Sequence, residues 1–427
     1  MEDSAVPTIR QYWPRRYTLV ALSCIAIFIC YLDRINISVA IIPMSEELGW
    51  TPDKQGLALS SFFVGYLLTQ ILGGRLADKY GGKAVLAVGV LVWSLATMFT
   101  PPAAAAGFAI LISIRIAMGL GEGVAFPTIY SLYGRWLPRN ENSRAIGITY
   151  SAIPLGSVIA LLITPWIVVR FGWEWAFYLF GPLGLVWYFF WHRMVTSFPA
   201  THPSISAKER EFIAADEVPD SKAKTPPWRA LFRSSAVWAI IVAHFCANWG
   251  TYVLLAWLPT YVNKGLGVDF ASVGLWSAVP YAVAFISFNL AGILADRLAS
   301  SGWDRTRLRK TMQTVGFGGP ALMLLLVTYV DTAPAAISLM ALGNFFLAFS
   351  AGGFAVNHLD IAPRYAGVLM GISNTSGTIP GIVGVAVSGY ILAWSGSWNL
   401  VFQTAAGVYL FGMVFYLVFA SGKRIFD

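Results

Sequence analysis

The chain has 427 residues, of which 57% are hydrophobic and only 12% charged, with a formal net charge of +8. A soluble domain carries about 25% charged residues, so composition excludes a water-soluble globule or a string of them. The positive balance would suit nucleic acid, but the basic residues flank apolar runs, which assigns them to a membrane surface instead. Forty glycines and 17 tryptophans point to packed helices with interfacial aromatics.

In chain order, Arg15-Arg16 followed by an apolar run has the outline of a secretory signal. The run is too long for one, contains Asp33 and Arg34, and has no small-residue cleavage site, so it is expected to stay as a first span. At about 20 mostly apolar residues per crossing, the pattern predicts twelve spans: 17–41, 56–77, 84–100, 104–133, 145–169, 174–194, 235–262, 270–296, 312–330, 334–357, 365–392 and 399–420. The polar stretch 195–234 contains Pro199, Pro203, Pro226 and Pro227 and divides the chain into a first half, 1–194, and a second, 235–427. Cys24, Cys30 and Cys246 lie in apolar runs without CxxC or metal spacing and are expected to be packed small side chains. No metal site or cofactor is implied.

Of the 29 Lys and Arg, 24 fall on the side that carries both ends and the central segment. Lys54, Arg170 and Lys264 fall on the other side, and Arg34 and Arg115 lie inside spans. Such asymmetry predicts cytoplasmic termini and a cytoplasmic central segment. The sequence also repeats itself. Gly74-Arg75-Leu76-Ala77-Asp78-Lys79 follows the second span and Gly292-Ile293-Leu294-Ala295-Asp296-Arg297 the eighth; Pro138-Arg139 after the fourth is echoed by Pro363-Arg364 after the tenth. Duplicated six-helix halves with a site between them at mid-depth are the expectation.

These features resemble the major facilitator superfamily: GRLADKYGGK at 74–83 is similar to its loop motif, and Arg115, Gly119 and Gly123 to its RxxxGxxxG pattern. Tyr31-Leu32-Asp33-Arg34, the run RIAMGLGEG and NHLDIAPRYAGVLMGISNTSG at 357–377 resemble, more narrowly, the anion:cation symporter family. That family includes bacterial proton-coupled carriers of sugar acids, phthalate, tartrate and sulfonates, and vesicular carriers of glutamate, sialic acid and phosphate. The resemblance implies an all-α membrane protein of twelve helices in two pseudo-symmetric halves, in a bacterial cytoplasmic (inner) membrane.

Asp33, Arg34, Arg115 and Glu122 are the charges buried within spans, with Asp360 near a span end. Each ionised side chain at bilayer depth costs about 2.5–3.5 kcal/mol on insertion scales, so such residues are expected to face a cavity and have partners. Arg34 lies roughly 25 Å from the inner end of its span and Arg115 roughly 16 Å from the outer end of its own. In a membrane about 40 Å thick these levels nearly coincide, and two guanidiniums at one level could clamp a carboxylate or sulfonate. Permanent internal pairing with Asp33 and Glu122 is the alternative. Glu122, seven residues after Arg115, combines an apolar setting that disfavours its charge with a nearby arginine that favours it, which suits a group that takes and releases a proton.

The resemblance adds roles. Positions matching Asp33 and Glu122 are protonation sites in the sugar-acid carriers, and those matching Arg34 and Arg115 serve substrate binding and coupling. Tyr31 and Tyr66 match cavity tyrosines, and Asn374 a polar cavity residue. Asp78, Asp296, Arg75 and Arg139 are read as conformational latches in loops. Asp360 is open between a cation site and a helix-end ion pair, and His358 has no assigned role. His244 stands where vesicular glutamate carriers have Arg, and Asn142 where plastid phosphate carriers have Arg, so both of those substrates are disfavoured.

The expected function is uptake of a small organic anion by proton symport, with a sodium-coupled or exchange carrier of phosphate or another anion as the alternative. The partners are the anion, the coupling ion and the lipid bilayer, with no nucleic acid and no protein implied. HExxH, GxSxG and Walker A patterns are missing from the sequence, which disfavours an enzyme.

Overall fold

The computed structural model describes residues 13–214, 227–362 and 365–426. Long helices dominate. In the first half these are α1 (Arg15–Glu47), α2 (Pro52–Tyr80), α3 (Gly82–Ala106), α4 (Phe108–Gly123), α5 (Ala125–Trp136), α6 (Arg139–Phe171) and α7 (Trp173–Met194). Two short helices, α8 (Ala207–Ala214) and α9 (Trp228–Arg233), belong to the connecting segment. The second half has α10 (Ser235–Thr260), α11 (Phe270–Ser300), α12 (Arg305–Val327), α13 (Ala333–Leu347), α14 (Phe354–Ile361), α15 (Ala366–Ser395) and α16 (Trp398–Phe419).

The twelve predicted spans map onto these helices, with α4 and α5 forming the fourth and α13 and α14 the tenth. Nine of the crossings are, among the described residues, apolar enough on their own to cross a membrane. The other three are α2, α7 and α12. In α7 a run of Trp and Tyr lowers the hydropathy, and the first turns of α12 carry Arg305, Arg307, Arg309 and Lys310. Both kinds of residue suit a membrane interface, where aromatic rings and long cations settle.

Two crossings are broken, which the apolar pattern does not predict. The α4–α5 break falls at Val124, two residues past Glu122. The tenth span breaks through a 3₁₀ turn, Ala348–Ala351, and Gly352-Gly353. Side chains from α12 brace that break: Arg309 Nη1 donates to the Gly352 carbonyl at 2.9 Å, and Gln313 Oε1 accepts the Phe354 backbone N–H at 2.9 Å. Irregular backbone at membrane depth is tolerated where protein satisfies it in this way.

At the end carrying the chain termini, Glu209 of α8 accepts the backbone N–H groups of Arg15 and Arg16 at 3.0 and 3.1 Å and the Arg16 guanidinium at 3.1 Å. It thereby places a carboxylate at the positive end of α1 and ties the central segment to the first half.

At the opposite end the halves close on each other. Glu46 of α1 pairs with Lys264 beyond α10. On α2 and α15, Gly56 and Gly389 approach so closely that a Cβ on Gly389 would meet the Pro52 carbonyl at 2.6 Å and Gly56 Cα at 3.1 Å. Nearer mid-depth, Phe63 of α2 fills the space left by Gly381 of α15, and the Thr378 hydroxyl donates to Gln70 at 2.9 Å.

Candidate functional site

The site begins with a crossing of α2 and α4 that only glycine permits. A Cβ on Gly119 would lie 2.0 Å from the Phe62 carbonyl, and one on Gly65 2.0 Å from the Ile116 carbonyl. Arg115, Gly119 and Gly123 are spaced by four and share a helix face, so the face that admits α2 also carries Arg115. The close approach brings Phe62 and Tyr66 of α2 against the buried charges.

Arg34 of α1 is packed on three rings: its guanidinium lies 4.7 Å from the Tyr31 centroid, 4.8 Å from Phe62 and 4.9 Å from Tyr66. Arg115 shares one of them, at 5.4 Å from Phe62. Both guanidiniums therefore flank a single ring, in a desolvated setting where each cation–π contact contributes up to about 2 kcal/mol.

The carboxylates are distributed unequally. Glu122 Oε2 accepts from Arg34 Nη2 at 2.7 Å and Nε at 3.1 Å. The Cys30 thiol, one turn before Arg34, donates to the same oxygen at 3.0 Å. Glu122 Oε1 has no hydrogen-bond partner among the described residues. Asp33 is 1% exposed, and neither of its oxygens has a hydrogen-bond partner among the described residues. The Thr97 hydroxyl, near Asp33, donates instead to the Trp93 carbonyl at 2.9 Å. Arg115 lies within electrostatic range of both carboxylates but donates to the Met118 thioether at 2.9 Å, a weak acceptor, while its Nε finds no partner. Two cations and two carboxylates thus share a buried compartment with one tight pair, Arg34 with Glu122, while Asp33, Arg115 and Glu122 Oε1 are incompletely satisfied among the described residues.

Among the other residues singled out, Tyr31 and Tyr66 stack on Arg34 as described. Asn374 is half-buried on α15, and its carbonyl accepts from Thr378, the residue bonded to α2. Asp360 lies apart from this compartment: its carboxylate takes Arg309 Nε at 2.6 Å and Arg305 Nη1 at 2.9 Å near the end of α14, an ion-pair arrangement at a helix end. Arg75 is exposed near the end of α2. The side chains of Asp78, Arg139, Asn142 and Asp296 lie outside the described residues.

Sequence reasoning missed Phe62, Cys30 and Tyr252. The expectation for Cys30 was packing alone; it is buried and also hydrogen-bonded, and its signal was the four-residue spacing to Arg34. Tyr252 of α10 packs on Phe63 with the rings tilted by 53° and their centroids 4.6 Å apart, and it bears electrostatically on Arg34, so the second half reaches the compartment through a phenol.

The family model of the Major Facilitator Superfamily matches residues 23–385. The chain belongs to the major facilitator superfamily. It is a multi-pass membrane transporter and not an enzyme. A bacterial homologue of the human lysosomal transporter Spinster, in an inward-facing, unoccupied conformation, aligns with a TM-score of 0.77 at 17% identity, over 95% of this chain and 97% of that one. The D-xylose–proton symporter aligns at 0.75 and 14%, over 96% and 99%. These two show the superfamily fold alone. Nearer in sequence are chloroplast proteins. The ascorbate transporter of Arabidopsis thaliana is 44% identical over 98% of this chain and 77% of its own length. The sodium-dependent phosphate transport protein 1 of the same plant is 44% identical over 100% and 84%. Probable anion transporter 4 of Oryza sativa subsp. japonica is 45% identical over 98% and 70%.

Proposed function

We propose that the chain is a secondary carrier that takes up a small organic anion by proton symport through alternating access. The observation that carries this reading is the buried quartet of Arg34, Arg115, Asp33 and Glu122, in which Arg34 is held by Glu122 while Arg115 has no hydrogen-bonded carboxylate among the described residues. With both carboxylates ionised the quartet is neutral and has no call for an anion. Protonating Glu122 releases Arg34, leaves a net positive charge, and lets the anion's carboxylate take the vacated donors. Proton and anion then bind together because each removes the charge penalty of the other. In this reading Tyr31, Tyr66 and Asn374 line the substrate path. Asp33 is a second protonation site, and Asp78, Asp296, Arg75 and Arg139 latch the loops at the end that carries the termini. That end faces the cytoplasm by its positive charge.

The similarity to a protein named as an ascorbate transporter supports an organic anion. A second reading, sodium-coupled phosphate transport, is favoured by the equally similar protein of that name. Those relatives are chloroplastic by name and give the bacterial cytoplasmic membrane no support. Uptake of labelled ascorbate and of phosphate into proteoliposomes, under an imposed proton or sodium gradient, separates the readings. Accumulation driven by sodium and indifferent to protons replaces the first with the second.

A further inference from the structure

The second half contains a polar chain that the quartet does not use. His244 of α10, Ser373 of α15 and His358 of α14 come from three helices and meet at one hydroxyl: Ser373 Oγ is 3.2 Å from His244 Nδ1 and 2.8 Å from His358 Nε2. All three are buried, at 9%, 0% and 2% exposure for His244, Ser373 and His358. Gly377 makes room for the first ring, since a Cβ there would lie 2.6 Å from His244 Cδ2.

The direction of the hydrogen bonds follows from one fixed point. His358 Nδ1 is 2.9 Å from the Ala355 carbonyl, which can only accept, so this nitrogen carries the proton. In the neutral ring Nε2 is then an acceptor, and the Ser373 hydroxyl donates to it. That hydroxyl's other acceptor, the Met370 carbonyl, is further away at 3.2 Å. Ser373 Oγ in turn accepts from His244 Nδ1–H, which leaves His244 Nε2 as a bare acceptor. His244 shares a helix face with Asn248 and Tyr252 at successive four-residue steps, and Tyr252 packs on Phe63 of the first half.

We infer that His244, Ser373 and His358 form a proton-binding site separate from the quartet, in which one proton is shared between two imidazoles through a serine hydroxyl. A proton arriving at His244 Nε2 makes that ring an imidazolium. Its Nδ1 proton passes to Ser373 Oγ as the serine's own proton passes to His358 Nε2. One proton has entered, no bond other than O–H and N–H has changed, and the charge has moved from α10 to α14, where Ala355 accepts from the charged ring.

Among the described residues, the groups facing the relay supply no counter-charge. The titratable group bearing on His244 is His358 itself. Ser373 and Gly377 of α15 are uncharged, Tyr416 of α16 is bonded to Asn357, and Asp360 is tied to Arg305 and Arg309. The negative charge that stabilises an imidazolium here is therefore the transported anion, and proton uptake at this site rises with anion occupancy. This part of the inference rests on the function proposed above; the shared proton does not.

The test uses the full-length purified carrier with ¹⁵N-labelled histidine. Wild type, Ser373→Ala, His244→Gln and His358→Gln are followed by imidazole nitrogen spectra during acid titration, with and without ascorbate or inorganic phosphate as probe. The expected result is one joint protonation step for His244 and His358 that splits into two independent steps in Ser373→Ala, and that moves to higher pH with a bound probe. Rings that titrate independently in wild type, or that stay neutral until the protein unfolds, overturn the inference. Proteoliposome uptake by the same variants separates the two readings. Proton-driven uptake with neutral rings removes the relay and leaves the quartet. Rings that share a proton in a carrier that ignores proton gradients keep the relay and remove the proton-symport reading.

Discussion

The two halves share a plan and differ in where they keep charge. In the first half, two arginines and two carboxylates sit deep inside α1 and α4, the arginines over aromatic rings and the set only partly paired. In the second half most buried polar groups of the described residues are neutral, among them His244, His358, Ser373, Gln313 and Asn357. A buried ion pair there, Arg309 with Asp360, stands at the end of α14 beside a helix break, where it acts as a brace. The difference teaches that pseudo-symmetry of helices does not extend to chemistry. A charge that must change its partner during a cycle costs stability in every state in which it is unpaired. Concentrating such charges in one half confines that cost and leaves the other half to supply shape and hydrogen bonds.

Removing the guanidinium that has no carboxylate partner should break the comparison most severely. Arg115→Ala is expected to weaken anion binding by roughly 30-fold or more, as truncation of a buried, charge-pairing group does. Arg115→Lys is expected to fall nearly as far because the planar fork is lost. Titration calorimetry on the purified protein checks both, and unchanged affinity would remove Arg115 from the site.

Glu122→Gln keeps shape and loses the titration. It is expected to bind and to exchange anion in counterflow, yet to accumulate none under a proton gradient. Full gradient-driven uptake by this variant would make the carboxylate structural. Asp33→Asn is expected to uncouple in the same assay, to a lesser degree.

Phe62→Leu removes the ring that both guanidiniums share while keeping an apolar filler. The expected cost is about 1–2 kcal/mol of affinity, roughly a tenfold weakening, with folding intact by thermal melt. The smallest effect is expected at the closed end. Glu46→Gln removes an exposed ion pair, and exposed pairs contribute about 0–1 kcal/mol, so transport should change less than about fivefold. A larger change would mean that this pair, and not the glycine contacts beside it, holds the halves together.

Much of the fold was legible because the membrane imposes it. Runs of apolar residues had to be helices, and positive loops marked one side. The glycine spacing after Arg115 announced a close crossing with a neighbour, though not with which one. The pairing was less legible. Glu122 and Arg115 share a face, but seven residues of helix separate them by about 10 Å, too far for a bond, and Arg34 from α1 reaches Glu122 instead. The break at Val124 had signals that the apolar pattern passed over, Gly121, Gly123 and Pro127, whose ring cannot donate to the Gly123 carbonyl; Gly352-Gly353 is the matching signal at its counterpart. The histidine–serine chain was unreadable because 129 and 15 residues separate its members, and no spacing rule connects three helices.

The seam between α2 and α15 has a consequence for how tightly the carrier holds itself shut. Over the stretch nearest the closed end it is glycine against glycine and backbone against backbone, and a directional side-chain bond lies further in at Gln70 and Thr378. The large side chain against this stretch, the Trp257 indole, is already held within the second half by its bond to the Val385 carbonyl, so it need not reorder when the two helices part. The work of separation is spread over many weak contacts and does not wait on one strong bond. Opening and resealing can then proceed at low and nearly equal cost in both directions, as a device that must turn over repeatedly under a modest ion gradient requires. The same smoothness makes the seam intolerant: one methyl group at Gly389 would act as a wedge, biasing the whole molecule towards one face of the membrane without touching the compartment where the anion is held.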